Sequence, residues 1–112
     1  MALPYADRAI IDREKLEGYV LSASHPVGRF KARFFARLGF TAGRWRLFEQ
    51  ALREQHLGQR AEAGPRDAFG QAFTIRAMLR GPTGVAALVI SVWFVRVGGP
   101  PRFVTAYPGD SR

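Results

Sequence analysis

The chain contains no cysteine, and only two histidines and two lysines occur among its 112 residues. Without cysteine it can form neither a disulfide framework nor a zinc site with thiolate ligands. The two histidines and the scattered carboxylates also lack the spacing of metal ligands, so we expect no metal and no cofactor. The lack of cysteine is compatible with a reducing compartment, and we expect a cytoplasmic protein.

A membrane-targeting segment is also missing from the pattern. Residues 1–8 do not combine a basic start with a long apolar run, as a secretory signal peptide would. The longest apolar run, from Val85 to Val95, is interrupted by Ser91 and is too short to cross a bilayer. These features predict a soluble protein without a membrane partner.

The chain is rich in apolar residues and in arginine. Hydrophobic residues make up 47% of the sequence and aromatic residues 12%, which is enough for one packed domain over residues 1–112. The net charge is +8, and 15 of the 17 basic residues are arginine. Arginine favours two-pronged hydrogen bonding to phosphate or carboxylate, so the charge points to RNA or to an acidic protein. The alternative, that coding bias supplies arginine and the charge only keeps the protein soluble, stays open.

Three helices are predicted in the first half of the chain, over residues 13–21, 29–38 and 43–57. Asp12 is the expected N-cap of the first helix. Gly39 and Gly58 are expected to end the second and third helices. Residues 1–11 are predicted to be irregular or to form a short strand.

The second half of the chain has the period of β-strands. Residues 58–68 are rich in polar and turn-forming types and predict a connector. Residues 73–80 alternate between apolar and polar side chains, as in a half-buried strand. Residues 85–96 are apolar on both faces, which predicts a central strand covered on both sides or packed at one end. With a short strand at 102–107, the sequence predicts an α+β fold in which N-terminal helices precede a three- to four-stranded antiparallel meander sheet.

Lys31 has an unusual place on the second helix. A helical wheel gives a buried face of Phe30, Phe34 and Leu38, and it puts Lys31 on the apolar side. The basic residues Arg29, Arg33 and Arg37 form a row at another edge of the helix. Lys31 therefore either extends its ammonium group to solvent along the apolar surface or lines a cleft beside the core.

His25 precedes the same helix, whose positive end disfavours a charged imidazole. A neutral histidine can act as a general base, and the helix start at Gly28 can hold an anion on its backbone N–H groups. Thr105 and Tyr107 lie two residues apart on a predicted strand and so share a face. If that face meets the second helix, both hydroxyls would approach Lys31; a purely structural role for each residue stays open.

Two further residue sets complete the sequence-based candidates. Arg76 and Arg80 lie on the outward face of their strand, where they either bind a backbone phosphate or are simply solvated. Arg29 and Arg33 are phosphate-binding candidates of the same kind. His56 closes the third helix, where a cation suits the helix dipole, so we interpret it as structural.

Several short motifs together resemble the bacterial domain of unknown function 6883 family, over nearly the whole chain from Leu3-Pro4 to Pro108. Such domains occur as short proteins, often beside another small protein, and as modules of larger toxin-like or phage-associated proteins. Members would carry a tyrosine where Phe73 stands and a basic residue where Val85 stands. The motifs are residues 25–35, Leu38-Gly39-Phe40, Trp45, Gly81-Pro82-Thr83-Gly84, Val92-Trp93 and Val104-Thr105-Ala106-Tyr107-Pro108.

The order of elements in this family is similar to the barnase–EndoU–colicin–RelE group of ribonuclease folds, an analogy at the level of fold. It implies a metal-independent, toxin-like ribonuclease in which a 2′-hydroxyl attacks the phosphate. His25 would take the proton of the 2′-hydroxyl, and Lys31 and Arg76 would stabilise the charge on the phosphate. Tyr107 or Thr105 would protonate or hold the leaving oxygen. Two alternatives are a non-catalytic module that binds a small acidic protein encoded nearby, of the antitoxin or immunity type, and a basic nucleic-acid-binding domain.

Overall fold

The computed structural model describes residues 1–26 and 28–109, and it confirms the α+β fold with helices ahead of an antiparallel sheet. After a short 3₁₀ turn at Ala6–Arg8, three helical regions lead into four strands. Within the described residues, no helix combines the length and the apolar character needed to cross a membrane. The strands are β1 (Ala61–Arg66), β2 (Gly70–Arg80), β3 (Ala86–Arg96) and β4 (Pro101–Pro108).

The helices match the predicted positions closely, but two of them widen at their ends. Helix α1 joins the α-helical turn Arg13–Lys15 to a π-helical segment, Leu16–Val20, and α2 spans Gly28–Leu38. Helix α3 joins a 3₁₀ turn, Ala42–Arg44, to an α-helical segment, Trp45–Ala51, and a π-helical segment, Leu52–His56. In both π-helical segments an N–H group bonds the carbonyl five residues earlier.

The expected cap at Asp12 is not formed by its side chain. Asp12 has the extended backbone of an N-cap residue, but its carboxylate makes no capping hydrogen bond. Instead, its Oδ2 atom accepts a hydrogen bond from Arg102 Nη1 at 3.1 Å. The tertiary approach of β4, which the local sequence does not show, competes for the carboxylate.

The four strands form a meander in the order β1-β2-β3-β4, and every neighbouring pair is antiparallel. Strand β1 lies where the composition predicts a polar connector, so that interpretation of residues 58–68 was wrong. An edge strand forms backbone hydrogen bonds with a neighbour on one side only. Strand β1 forms them with β2, beginning at the pair Ala61↔Ile75. Asp67 then stabilises the turn by accepting hydrogen bonds from the N–H groups of Phe69 and Gly70.

One face of the sheet, the inner face, packs on the helices. Directly opposed residues such as Phe73, Trp93 and Phe103 share this face, and all three are buried. Helix α2 contributes Ala32, Phe35 and Leu38 to the core, so the predicted buried face of Phe30, Phe34 and Leu38 was wrong in phase. Phe30 is 65% exposed, while Phe34 packs partly against the core.

The other face of the sheet, here called the outer face, has no helix over it among the described residues. Its central strand presents Leu88, Ile90, Val92 and Phe94, all only half-buried. Within the described residues, the apolar run of β3 therefore does not reflect cover on both sides, which was one of the two alternatives that the sequence left open. The inner-face residues account for the core, and the outer-face residues leave an apolar surface in solvent.

A buried polar network lies under the inner face. His56 is 0% exposed; its Nε2 faces the carbonyls of Ala77 and Val89 at 3.2 and 3.1 Å, and its Nδ1 lies 2.8 Å from Ser91 Oγ. Nε2 must carry the hydrogen because carbonyls only accept, so the Ser91 hydroxyl donates to Nδ1. Trp93 Nε1 donates to the same hydroxyl oxygen. Burial lowers the pKa of His56, so the residue is structural as expected but neutral, not a cation at a helix end.

The end of α2 is tied to the turn between β2 and β3. Gly39 has φ +101°, and the Gly39 and Phe40 N–H groups close the helix on the carbonyls of Ala36 and Phe35. Thr83 N–H and its hydroxyl both donate to the Leu38 carbonyl. A side chain at Gly81 would collide with the Leu38 carbonyl, so this turn and α2 lie in contact.

Candidate functional site

Lys31 lies at the centre of the candidate site, where α2 meets the edge strand β4. Its Nζ donates one hydrogen bond to Thr105 Oγ1 and one to Tyr19 Oη, both at 3.1 Å. The same ammonium lies 4.8 Å from the centre of the Tyr19 ring and 5.9 Å from that of Tyr107. Lys31 therefore occupies a half-buried site formed by hydroxyls and aromatic faces rather than extending freely into solvent.

His25 joins this group through Tyr19. The two rings meet edge to face with centroids 4.9 Å apart, and the His25 backbone N–H donates to Ser22 Oγ. His25 O accepts a backbone hydrogen bond from Arg29 N–H, in the first turn of α2. We call the five residues brought together here the Lys31 cluster: Tyr19, His25, Lys31, Thr105 and Tyr107.

In the described part of the chain, no carboxylate pairs with the Lys31 ammonium. Among residues 1–26 and 28–109, salt bridges join Arg13 to Glu17, Arg53 to Glu49 and Arg102 to Asp12, and none includes Lys31. The two hydrogen bonds use two of the three N–H donors of the ammonium, and the hydroxyls that accept them keep their own hydrogens. The cluster can therefore present several donors to one anion.

The sheet places Arg76 in line with the cluster. Arg76 pairs with Ile90, and Ile90 pairs with Tyr107, so the three side chains form one row on the outer face. The exposed Arg76 guanidinium makes one long contact, 3.5 Å from Nη2 to the Gly109 carbonyl. Thr105 occupies the next row, opposite Val92. One end of the outer face thus carries the side chains of Thr105 and Tyr107, with Arg76 two strands away.

The other phosphate-binding candidates lie elsewhere. Arg29 and Arg33 line a groove of about 370 Å³ on the flank of α2 away from Lys31, with Leu21, Ala32 and Phe40 among its other residues. Arg80 lies on the outer face but donates to the Gly84 carbonyl in the turn after β2. The structure therefore groups His25, Lys31, Thr105 and Tyr107, aligns Arg76 with them, and separates Arg29, Arg33 and Arg80.

Tyr19 is a member of the cluster that sequence reasoning missed. The spacing of Leu16, Tyr19 and Val20 assigned it to the apolar stripe of the first helix, and Tyr19 does pack partly against the core. Its hydroxyl, however, reaches Lys31. A tyrosine within an otherwise aliphatic stripe was the available signal, because a buried or half-buried tyrosine usually finds a partner for its hydroxyl.

The two positions at which the resemblance led us to expect a different residue fall outside the cluster. Phe73 is buried on the inner face of β2, and Val85 is exposed in the turn before β3. Neither is among the side chains that contact Lys31. Val27, which belongs to the motif over residues 25–35, lies outside the described residues.

Metal-ligating groups do not gather in the described part of the chain: no three His, Cys, Asp or Glu side chains there are placed to hold an ion. The chemistry available in the cluster is that of an ammonium, an imidazole and three hydroxyls. These groups can neutralise an anion, accept a proton and donate a proton. Phosphate ester chemistry needs those three capabilities.

Comparison with known proteins identifies the family. A model of the domain of unknown function DUF6883 matches residues 2–110, and the chain belongs to that family. No curated protein matches the chain.

Among solved structures, one chain of a contact-dependent growth inhibition toxin–immunity protein complex from Klebsiella pneumoniae 342 is similar, with a TM-score of 0.60 and 21% sequence identity. The match covers 88% of this chain and 98% of that one. At this identity the likeness shows a shared fold.

Proposed function

We propose that this member of the DUF6883 family is a metal-independent ribonuclease of the toxin type. The observation that carries the proposal is the Lys31 cluster, in which Lys31 Nζ lies 3.1 Å from the hydroxyls of Tyr19 and Thr105. The Tyr107 ring centre lies 5.9 Å from that ammonium, and the His25 ring contacts the Tyr19 ring. Side chains from α1, the following loop, α2 and β4 thus gather around one ammonium.

The proposed reaction is attack of a ribose 2′-hydroxyl on the adjacent phosphorus. The His25 imidazole takes the proton of the 2′-hydroxyl as the O2′–P bond forms. The P–O5′ bond then breaks, and the Tyr107 hydroxyl gives its proton to O5′. The products are a 2′,3′-cyclic phosphate and a 5′-hydroxyl, and solvent returns the proton from His25 to Tyr107.

Lys31 would stabilise the phosphate as charge develops on its oxygens. Donors held in place before the reaction cost no reorganisation in the transition state, which makes such stabilisation one of the largest contributions to catalysis. Thr105 and Tyr19 hold the ammonium by accepting its hydrogen bonds. Arg76, in the row of Tyr107, is placed to hold a neighbouring phosphate on the outer face.

A toxin-like role is supported by two further observations. The similar fold named above comes from a complex of a growth inhibition toxin with its immunity protein. The net charge of +8 suits a protein that acts on RNA, since basic side chains supply salt-sensitive affinity for phosphates. The same charge would attract a small acidic protein of the antitoxin or immunity type.

The test is RNA cleavage in EDTA by wild-type protein and by the variants His25→Ala and Lys31→Met. Lys15→Met is the matched control, because Lys15 is the other lysine of the chain and is exposed on α1. We expect the wild type and Lys15→Met to release 5′-hydroxyl ends from tRNA or total RNA. Loss of either cluster residue should slow cleavage by roughly 10²-fold or more. Circular dichroism checks that each variant is folded.

Unchanged cleavage by both cluster variants would refute this assignment of the site. If the folded wild type cleaves no RNA, the ribonuclease proposal fails. Binding without cleavage, with an affinity that falls steeply with salt, would then indicate a nucleic-acid-binding domain.

A second candidate function, a non-catalytic protein-binding module, is favoured by the outer face. Leu88, Ile90 and Val92 form an apolar strip there, and Arg76 lies beside it on β2. An apolar centre with arginines at its border suits a protein partner that carries carboxylates. If the protein is such a module, His25→Ala should weaken folding or partner binding, and the wild type should cleave no RNA.

A further inference from the structure

Phe30 is exposed at a place where helix α2 has other apolar positions buried. It is 65% exposed, one residue before Lys31, although it stands in a helix whose Ala32, Phe35 and Leu38 are in the core. A single exposed aromatic side chain needs no explanation on its own. The surroundings of Phe30 are what distinguish it.

Phe30 and Phe34 form an aromatic strip along α2. Residues four apart in a helix are neighbours on its surface, separated by about 40° around the axis. Phe34 lies about 60° from Lys31, so the strip runs along the flank that carries the Lys31 cluster. The groove lined by Ala32 and Arg33 lies on the opposite flank, and Arg29 stands between that groove and the strip.

Cations accompany both rings of the strip. The Arg29 guanidinium carbon lies 4.6 Å from the Phe30 ring centroid, and that of Arg37 lies 5.9 Å from the Phe34 ring centroid. Among the described residues, the salt bridges do not include Arg29 or Arg37. Their charges therefore remain available to an external anion, beside aromatic surface that is already exposed.

We infer that Phe30 is a base-stacking site for single-stranded RNA, placed beside the cluster that would cleave it. Proteins that bind single strands combine aromatic rings, on which bases stack, with cations that hold the phosphates. A stacked base must be splayed out of a duplex, so the substrate class is single-stranded RNA or a loop. The inference rests on the proposed function, because it takes RNA to be the substrate.

The order of side chains around α2 also gives the stacked base a position relative to the scissile bond in this proposal. Phe30 stands between Arg29 and Lys31 in the sequence, so the three side chains are spread around the helix axis in steps of about 100°. The base on Phe30 would therefore belong to a nucleotide next to the phosphate that Lys31 contacts. Arg29 would hold the phosphate on the other side of that nucleotide.

The experiment measures binding separately from cleavage. A fluorescent 2′-O-methyl oligonucleotide keeps bases and phosphates but lacks the attacking hydroxyl, and an abasic oligonucleotide of equal length keeps only the charge. We expect Phe30→Ala to weaken binding of the first probe by roughly 5- to 150-fold and to leave binding of the second unchanged. Phe69→Ala is the matched control, because Phe69 is 73% exposed but lies in the turn between β1 and β2.

Phe30→Leu guards against a folding artefact, since it keeps an apolar side chain and removes the aromatic face. It should show the same base-dependent loss, whereas Phe30→Tyr should retain binding. The inference is overturned if Phe30→Ala binds the base-bearing probe as well as wild type does, or if it weakens both probes equally. A wild type that shows the base-dependent difference but cleaves no RNA would refute the proposed ribonuclease and leave the stacking site intact.

Discussion

Lys31 and Thr105 stand 74 positions apart in the sequence, and a 3.1 Å hydrogen bond joins their side chains. Lys31 is on α2 and Thr105 on the edge strand β4, so the bond exists only when helix and sheet are packed. Tyr19, from a third element, accepts a second bond from the same ammonium. The candidate site is therefore a product of the folded state, and its parts can be tested one hydroxyl at a time.

Thr105→Val should impair cleavage while preserving the fold. Valine has nearly the shape of threonine but offers no acceptor to Lys31 Nζ. A hydrogen bond to a charged group contributes about 1.5–3 kcal/mol, so the rate should fall roughly 10- to 100-fold. Single-turnover cleavage measures the change, and Thr105→Ser, which keeps the hydroxyl, should recover most of the activity. Equal loss in the serine variant would show that packing, not the hydroxyl, matters at this position.

Tyr19→Phe should lower kcat more than it changes KM. The variant keeps the ring beside His25 and under Lys31 but removes the oxygen that accepts the Lys31 hydrogen bond. We expect roughly a 10- to 100-fold loss of kcat, since Tyr19 acts by positioning the ammonium rather than by holding the RNA. Steady-state cleavage over a range of RNA concentrations separates the two constants. A rise in KM with unchanged kcat would contradict the positioning role.

Ser91→Ala should destabilise the protein without touching the candidate site. The Ser91 hydroxyl donates to His56 Nδ1 and accepts from Trp93 Nε1, and all three residues are 0% exposed. Each buried polar group left without a partner costs about 1–3 kcal/mol, so the free energy of unfolding should fall by at least about 2 kcal/mol. Urea denaturation measures the loss. Ser24→Ala, at an exposed serine, is the control, and an equal effect there would refute the argument.

The stability of the protein should decrease as the pH falls below the ordinary histidine pKa of 6.5. Burial lowers the pKa of His56 in the folded state, so below pH 6.5 the unfolded chain takes up a proton that the folded chain still refuses. The stabilisation is complete above that value and is lost towards the lower folded-state pKa, by up to about 1.4 kcal/mol per pH unit.

Urea denaturation of wild type, His56→Gln and His25→Gln between about pH 5 and pH 8 checks this dependence. His56→Gln should be less stable at neutral pH and should lose most of the slope. His25→Gln removes the other histidine, which lies outside this network, and the slope assigned to His56 must survive in it. If His25→Gln abolishes the slope instead, the assignment to His56 is wrong.

Local pattern was sufficient for most of the fold. The helix signals at Gly39 and Gly58 and the alternation in residues 73–80 predicted three helices and the long strands of a meander. The pattern failed at β1, because an edge strand paired on one side needs no apolar alternation. It also failed in the phase of α2, where Phe30 is exposed and Ala32 is buried. A helical wheel ranks faces by hydrophobicity, and it cannot show which face the sheet will cover.

The residues of the candidate site were likewise predictable from the sequence only in part. The scarcity of lysine and histidine singled out Lys31 and His25, and the two-residue spacing of Thr105 and Tyr107 put their side chains on one face. The spacing of Tyr19 suited the core equally well, so its hydroxyl contact with Lys31 was hidden from sequence reasoning. The separation of Arg29 and Arg33 from Lys31, by contrast, follows from the helical wheel, which already puts the arginine row and Lys31 at different edges of α2.

By itself, the sequence determined the three helices, the strands that follow β1, their order and the strongly basic charge, since these follow from composition and short-range periodicity. Only the tertiary structure decided which residues meet. The Lys31–Thr105 bond, the neutral His56 network and the open outer face each depend on contacts between elements distant along the chain. Such contacts are fixed by the packing of whole faces, a property that no local stretch of sequence carries.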